Sequence, residues 1–358
     1  MPIKINSTGG GSVSIDVPST GGTYTLTAPA NNATIFTTAG GAITGNVGFS
    51  GVVSFSSNNV SIGGQTVSPF TGMKNRVING DMRVWQRGTS HADTTTYTAD
   101  RWFVNRNGGV SGVTVSQSGS IGNYFLKVQR QASTTATNNS DVRQVIESLN
   151  CADLAGQNVT LSFNCYKGAN FSGSSVTAEI RYSTATDDLV NIVGSWASGG
   201  SSGITPTTTS TRYSLTVSIP ANAATLMVRF VTDAYSGTAG ADDSIYYNDV
   251  QLEAGSLATP FERRSYGMEL ALCQRYYEFG ETSFYYTGYS TQTIYYNVSF
   301  KVYKRSVPTV TRTGNGVITS STSGTSVEPS TLNRDSFYWL KSSGSTAIGG
   351  YWTASAEL

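Results

Sequence analysis

An all-β fold follows from three features of the sequence. Apolar and polar residues alternate with period two along most of the chain, the spacing that sends successive side chains to opposite faces of a strand. Turn formers punctuate the alternation: Gly alone occurs 39 times, and Ser, Thr and Asn cluster between the runs. Only the stretch around Leu270 switches to a helical period.

Four parts are expected. Residues 1–72 open with SVSIDV and TYTLTA, set apart by GGG and TGG. Strands this short bury little apolar surface in a single copy. The region therefore reads as a fibrous β stem in which self-association would bury Phe49, Val53 and Phe55 and cover the open strand edges. The second part, residues 73–265, carries strand candidates such as RWFVNR, YFLKVQR, VTLSFNCYK, YSLTVSIP and TLMVRFVT. About eight such strands with no long helical pattern predict an antiparallel sandwich of jelly-roll type. One local competitor is DVRQVIESLNCADLAGQ, where Asp153 could support a short helical turn.

From Tyr266 the period becomes 3.6, which predicts a connector helix over residues 266–280. Met268, Leu270, Leu272, Cys273, Tyr276, Tyr277 and Phe279 share one wide arc, with Glu269 the only charge inside it. Gln274, Arg275 and Glu278 share the other side, and Gly280 is placed to stop the helix. So wide an apolar arc predicts contact with more than one neighbour. Strands resume over residues 281–358 in SFYYTGY, TIYYNVSFKVY, DSFYWLKSS and GGYWTASAEL, giving a β-sandwich-like C-terminal domain rich in Tyr and Trp. Its aromatics come in adjacent pairs: Tyr285-Tyr286, Tyr295-Tyr296, Tyr338-Trp339 and Tyr351-Trp352. Neighbours on a strand face opposite sides, so in each pair one ring packs inward and the other faces a partner subunit, a ligand or water.

Chemistry is constrained mainly by what is missing. The net charge is +1, and no run of Lys/Arg exceeds Arg263-Arg264, which opposes nucleic-acid binding. No apolar stretch reaches the length of a membrane span, and MPIKINSTGG contains no secretory apolar core, so neither membrane insertion nor export is expected. Cys151, Cys165 and Cys273 stand far apart and read as buried free thiols. His91, the single histidine, lies in GTSHADTTT and reads as a solvated loop residue with no second histidine to complete a dyad. Motifs of serine hydrolases, zinc proteases and phosphate-binding loops are absent. Asp187-Asp188 and Asp242-Asp243 are adjacent pairs whose side chains point apart on a strand, which suits structural or ion-binding roles better than the paired carboxylates of glycan hydrolysis. No enzymatic activity is expected.

Two resemblances sharpen these expectations. The segment from VINGDMRVWQ to IYYNDVQLE resembles the jelly-roll carbohydrate-binding modules, through Asn79, Gly80 and Asp81 at one end and Asn248, Asp249, Val250 and Leu252 at the other. That resemblance implies that the first and last strands lie close together. It also implies a structural calcium there, with Asp81 and Asp249 as oxygen ligands and no other cofactor. The chain departs from the pattern at Arg83, which replaces an acid and would repel a cation.

The ordered set KNRVINGDMRVWQRG, TADRW and VQLEAGSLATPFERRSYGMELALCQRYYE, with KVYKRSVPTVTR and WTASAEL beyond it, resembles tail-fibre and related receptor-binding appendage proteins of tailed bacteriophages. Such a likeness implies a homotrimer in the virion, assembled in the host cytoplasm. It would attach to other tail, baseplate or capsid proteins through residues 1–72, with the last domain serving trimerisation and receptor binding. The expected function is that of an adhesin binding a bacterial surface polysaccharide without cleaving it. Tyr286, Tyr289, Trp339 and Trp352 are the candidate glycan contacts, each also able to serve as core or subunit interface. The alternatives are a purely structural capsid, collar or baseplate fibre component and, with less support, a polysaccharide depolymerase, for which the rung-like repeats of a parallel β-helix are missing.

Overall fold

A computed structural model of the chain describes residues 3–6, 12–15, 60–62, 65–67, 73–106, 111–188, 196–285, 294–313, 327–331, 333–341 and 347–358. The chain divides into two compact units, Met1–Ser57 and Asn58–Leu358. In the first, β1 (Ile3–Asn6) pairs antiparallel with β2 (Ser12–Ile15), Ile3 opposite Ile15. In the second, β3 (Val60–Ile62) forms a hairpin with β4 (Gln65–Val67). Phe49, Val53 and Phe55, expected to be buried in the stem, lie outside the described residues.

Twelve strands then build the sandwich: β5 (Ser90–Ala92), β6 (Thr96–Tyr97), β7 (Phe103–Arg106), β8 (Val113–Ser120), β9 (Asn123–Arg130), β10 (Ser140–Ile146), β11 (Asn158–Lys167), β12 (Val176–Ser183), β13 (Ala197–Ile204), β14 (Thr211–Ser218), β15 (Thr225–Thr232) and β16 (Asp243–Ala254). They form two six-stranded antiparallel sheets, ordered β13-β12-β15-β10-β7-β6 and β14-β11-β16-β9-β8-β5. Alternation decides which face is buried. On β12, Val176, Ala178 and Ile180 enter the core while Thr177, Glu179 and Arg181 do not. Facing residues from the other sheet include Val115, Leu126, Leu161, Phe163, Tyr247 and Leu252.

Strand β10 is buried along its whole length because both of its faces are covered. Val142 and Ile146 point into the sandwich core, and Val145 packs outward with Phe103, Met227, Cys273, Tyr276 and Leu358. The helical turn expected at Asp153 lies beyond this strand, at Ala152–Leu154, after another at Ser148–Asn150. All three cysteines are free and buried. His91 corrects its expectation: it sits on β5, half-buried and stacked on Trp85 with ring centroids 6.3 Å apart, rather than in a solvated loop.

The connector helix, α1 (Tyr266–Gln274), ends six residues earlier than expected. Ser265 caps its start by accepting from the Met268 amide at 3.4 Å. At its other end, Lys304 Nζ donates to the Gln274 carbonyl at 2.5 Å and the Arg305 amide donates to the Arg275 carbonyl at 3.0 Å. These donors stop the helix by satisfying its last carbonyls. Gly280 is therefore no cap. It lies within the following strand, where an added Cβ would overlap the Trp352 ring, so it is the recess that lets that indole pack.

Six strands follow: β17 (Tyr277–Tyr285), β18 (Ile294–Ser299), β19 (Thr309–Thr313), β20 (Val327–Thr331), β21 (Ser336–Lys341) and β22 (Ala347–Ser355). They make two three-stranded sheets, β17-β22-β19 and β18-β21-β20. Phe300, Phe337, Trp339, Trp352 and Ala354 fill the space between them. Side-chain bonds join this domain to the sandwich. Arg275 pairs with Glu147 at 2.6 Å, and the Tyr276 hydroxyl donates to the same carboxylate at 2.7 Å. Arg101 pairs with Glu357 and lies over the Tyr276 ring, 3.6 Å from its centroid. Arg305 reaches Asp187 at 3.1 Å.

Asp100 sits in this junction, fully buried. It accepts from the Gln86 amide at 3.1 Å and from Gln86 Nε2 at 2.5 Å, and the same Nε2 donates to the Tyr277 carbonyl at 2.8 Å. Burial raises its carboxyl to about 6, against the opposing pull of Arg87. A carboxyl that binds its proton more tightly when folded loses stability as pH rises from its unfolded value to its folded one. Between pH 7 and pH 5 the midpoint of thermal unfolding is expected to rise on acidification, and Asp100→Asn is expected to flatten that dependence. Equal slopes for the two proteins would contradict this. Gly80 supplies a second test. An added Cβ there would overlap the Val250 carbonyl oxygen, a backbone atom that cannot swing aside. Gly80→Ala is expected to cost about 2–3 kcal/mol in denaturant unfolding.

Candidate functional site

The two ends of the sandwich sequence meet, and their meeting creates a cavity. Asn79 adopts the left-handed conformation, φ +56°, which Asn tolerates better than most residues. Its side chain accepts from the Val84 amide at 2.9 Å and donates to the carbonyls of Val84 and Asp100 at 2.9 and 3.0 Å. Its own carbonyl accepts from Trp102 Nε1 at 2.9 Å. Its amide donates to Glu269, the buried carboxylate of α1, which also pairs with Arg264 at 3.3 Å. Next to it, the Gly80 carbonyl accepts from the Val250 amide at 2.9 Å. Thus the opening segment is pinned to β16 on one side and to α1 on the other.

The cavity opens beside this knot and has a volume of about 560 Å³. Asp81 and Arg83 of the opening segment, Asn248 and Asp249 of β16, and Arg263 of the link to α1 line it together. Tyr124 of β9 and Tyr266 of α1 supply aromatic wall, and the β8–β9 hairpin contributes Gln117 and its tip, Ile121-Gly122. Ile121 is 93% exposed, an unusual place for a β-branched aliphatic residue. Asp249 also has a left-handed backbone, φ +48°, which interrupts the regular alternation of β16.

Charge inside the cavity is balanced. Arg83 Nε lies 3.0 Å from Asp81 Oδ2, and Arg263 donates to both oxygens of Asp249 at 3.1 and 3.2 Å. Arg263 remains 51% exposed at the mouth. Burial raises the carboxyls of both Asp81 and Asp249, with Arg83 and Arg263 respectively opposing the shift. Two acceptors stay unused: among the described residues, neither Asp81 Oδ1 nor Asn248 Oδ1 has a hydrogen-bond partner. Both side chains are more than nine-tenths buried. A buried acceptor left without a donor costs about 1–3 kcal/mol, and both oxygens are closed to solvent as the side chains stand, so a ligand that donates gains by drawing them toward the cavity.

The structure brings Asp81 and Asp249 to one site, as the expected proximity of the first and last strands requires. It does not suit them to calcium. Each carboxylate already holds a guanidinium, the third nearby cation, Arg212, donates to the Asp249 carbonyl at 3.2 Å, and no group of three or more metal-binding side chains occurs among the described residues. Millimolar calcium, the range in which weak extracellular sites fill, is expected to leave the midpoint of thermal unfolding unchanged. A clear rise would contradict the assignment of these carboxylates to arginine.

The other four candidates fare differently. Tyr286 and Tyr289 lie outside the described residues. Trp339 and Trp352 are corrected: both are buried between the two small sheets, Trp339 edge-on to Phe337 at 5.8 Å and Trp352 to the same ring at 4.9 Å. Parity along the strand was read correctly, but the outward members are their neighbours. Tyr351 is exposed beside buried Trp352, and half-buried Tyr338 meets exposed Tyr295 at 5.3 Å. The larger indole takes the core because it removes more apolar surface from water. Ile121, Tyr124, Arg263 and Tyr266 were not foreseen as one site, since nothing short of the three-dimensional meeting of β9, β16 and α1 unites them. An aliphatic residue before Gly at a hairpin tip was the one local signal.

No family model matches the chain, and no curated protein matches it. Solved structures do. The enzymatically active domain of tailspike protein 4 of bacteriophage CBA120 aligns at 17% identity with TM-score 0.33, over 51% of this chain and 21% of that one, so the chain spans about a fifth of that domain's length. The module titled TmCBM61 in complex with β-1,4-galactotriose aligns at 13% identity with TM-score 0.29, over 51% of this chain and 99% of that one. The C-terminal family 22 carbohydrate binding module of Clostridium thermocellum Xyn10B aligns at 14% identity with TM-score 0.31, over 48% and 97%. Likenesses of this size carry nothing about ligand, partner or activity.

Proposed function

We propose that this chain is a virion adhesin that binds a neutral bacterial surface polysaccharide, without cleaving it, in the cavity between Asp81, Asn248 and Tyr266. The observation that carries the reading is the pair of buried acceptors, Asp81 Oδ1 and Asn248 Oδ1, that lack donors at the wall of a cavity large enough for a sugar. Sugar hydroxyls donate without bringing positive charge, whereas a cation would meet Arg83 and Arg263. Two acids offset by two guanidinium groups leave no net charge to favour an anionic sugar over a neutral one. Exposed Tyr266 and Ile121 at the mouth suit the C–H faces of a pyranose, and the free donors of Arg263 suit its ring and hydroxyl oxygens.

The homotrimer, the attachment to tail, baseplate or capsid proteins through residues 1–72 and the place in the virion belong to this proposal and rest on the resemblance to phage appendages. Three copies would multiply weak single sites into firm adsorption. A purely structural role shares the same modules but gives the unfilled acceptors no purpose.

Asn248→Ala removes one unused acceptor and only a long bond to Asn123, 3.3 Å. On an array of bacterial polysaccharides it is expected to bind about tenfold more weakly than the unaltered chain, with an unfolding midpoint changed by no more than a few degrees. Binding that stays at full strength would sink the assignment of the cavity.

A further inference from the structure

A second feature lies on the outer face of the sheet β17-β22-β19. Phe279 and Tyr351 stand there 43% and 39% exposed, their ring planes within 11° and their centroids 5.9 Å apart. They sit diagonally on neighbouring strands: Glu281 is directly opposite Tyr351, Thr353 is opposite Phe279, and Thr313 flanks Tyr351 on the other side. Glu281 and Thr311 are exposed. The inward residues of the same strands, Trp352 and Ala354, anchor the face from below.

We infer that this ledge is a second sugar subsite, which takes the apolar C–H face of a pyranose against the exposed side of the stacked Phe279–Tyr351 pair. The exposed Glu281 carboxylate and Thr311 hydroxyl then accept from and donate to the sugar's edges. The size and composition of the ledge select this occupant over a second copy of the chain. Two partly exposed rings offer at most a few hundred Å² when an aromatic side chain buries about 150–250 Å² in all, against roughly 800 Å² per partner in a stable protein interface. The surrounding residues are hydroxyls and a carboxylate, whereas the centre of a protein interface is depleted of charge. Glu281 carries no guanidinium or ammonium partner among the described salt bridges, so it remains available to sugar hydroxyls. The ledge goes beyond the cavity site: it uses different residues on a different sheet, and it gives each chain two points of attachment to one polymer, which raises retention through effective concentration.

The test uses the full chain and immobilised O-polysaccharides and capsular polysaccharides purified from a panel of bacterial strains. Joint replacement Phe279→Ser and Tyr351→Ser is expected to lower retention on the polymers that hold the unaltered chain by about tenfold or more, with unchanged unfolding midpoint and unchanged mass by light scattering. The conservative pair Phe279→Tyr and Tyr351→Phe is expected to retain full binding. Undiminished retention of the serine variant overturns the subsite while leaving the cavity reading intact. A fall in solution mass overturns it too, because the ledge is then an interface between copies. Loss of retention with Asn248→Ala but not with the serine variant assigns binding to the cavity alone, and an unaltered chain that holds to no polymer overturns both sites.

Discussion

The second compact unit hangs on the buried peptide of Asn79. One residue ties together three segments, residues 79–84, residues 100–102 and α1: its side chain closes the loop to Val84 and Asp100, its carbonyl receives the Trp102 indole, and its amide meets the Glu269 carboxylate of α1. Such a carboxylate is costly to bury alone, and Arg264 offsets that cost while its other donors reach the carbonyls of Val77 and Asn75. A half-satisfied network of this kind would be worse than an apolar one. Among the described residues only Arg264 Nε is left without a partner in it, and the bonds that are made set where the opening segment, β16 and α1 can lie.

Both functional features inherit their geometry from that knot. The cavity exists because Asp81 and Arg83 leave the knot on one side while Arg263 and Tyr266 enter it on the other. Downstream, α1 hands its last turn to Lys304 and Arg305, and Glu147, Arg101 and Glu357 fasten the following domain to the outer face of the β10 sheet. The wide apolar arc around Leu270 is thereby explained, although not as a long helix. Cys273 and Tyr276 face the sandwich, and Tyr277 and Phe279 belong to a strand whose alternation continues from the helix end without a break.

Much of the fold was legible because period two is a strong signal wherever one face is buried and the other wet. The exceptions are physical. β13 reads ASGGSSGI, where Gly200 lies too close to Val217 for any side chain, and β5 and β6 are too short to show a pattern. The site was legible only in part. The resemblance set Asp81 and Asp249 at one place, and both line the cavity. The choice of Trp339 and Trp352 failed because adjacency on a strand says that one ring of a pair is inward without saying which. Packing volume decides that, through Gly280 beneath Trp352.

Whether the unfilled acceptors are the heart of the site can be seen directly in a crystal structure of the chain with a fragment of a surface polysaccharide that it retains. The expected result is a sugar in the cavity, with hydroxyls donating to Asp81 Oδ1 and Asn248 Oδ1 and a ring face against Tyr266. A sugar bound away from that cavity, with the two oxygens still lacking donors, would contradict the account.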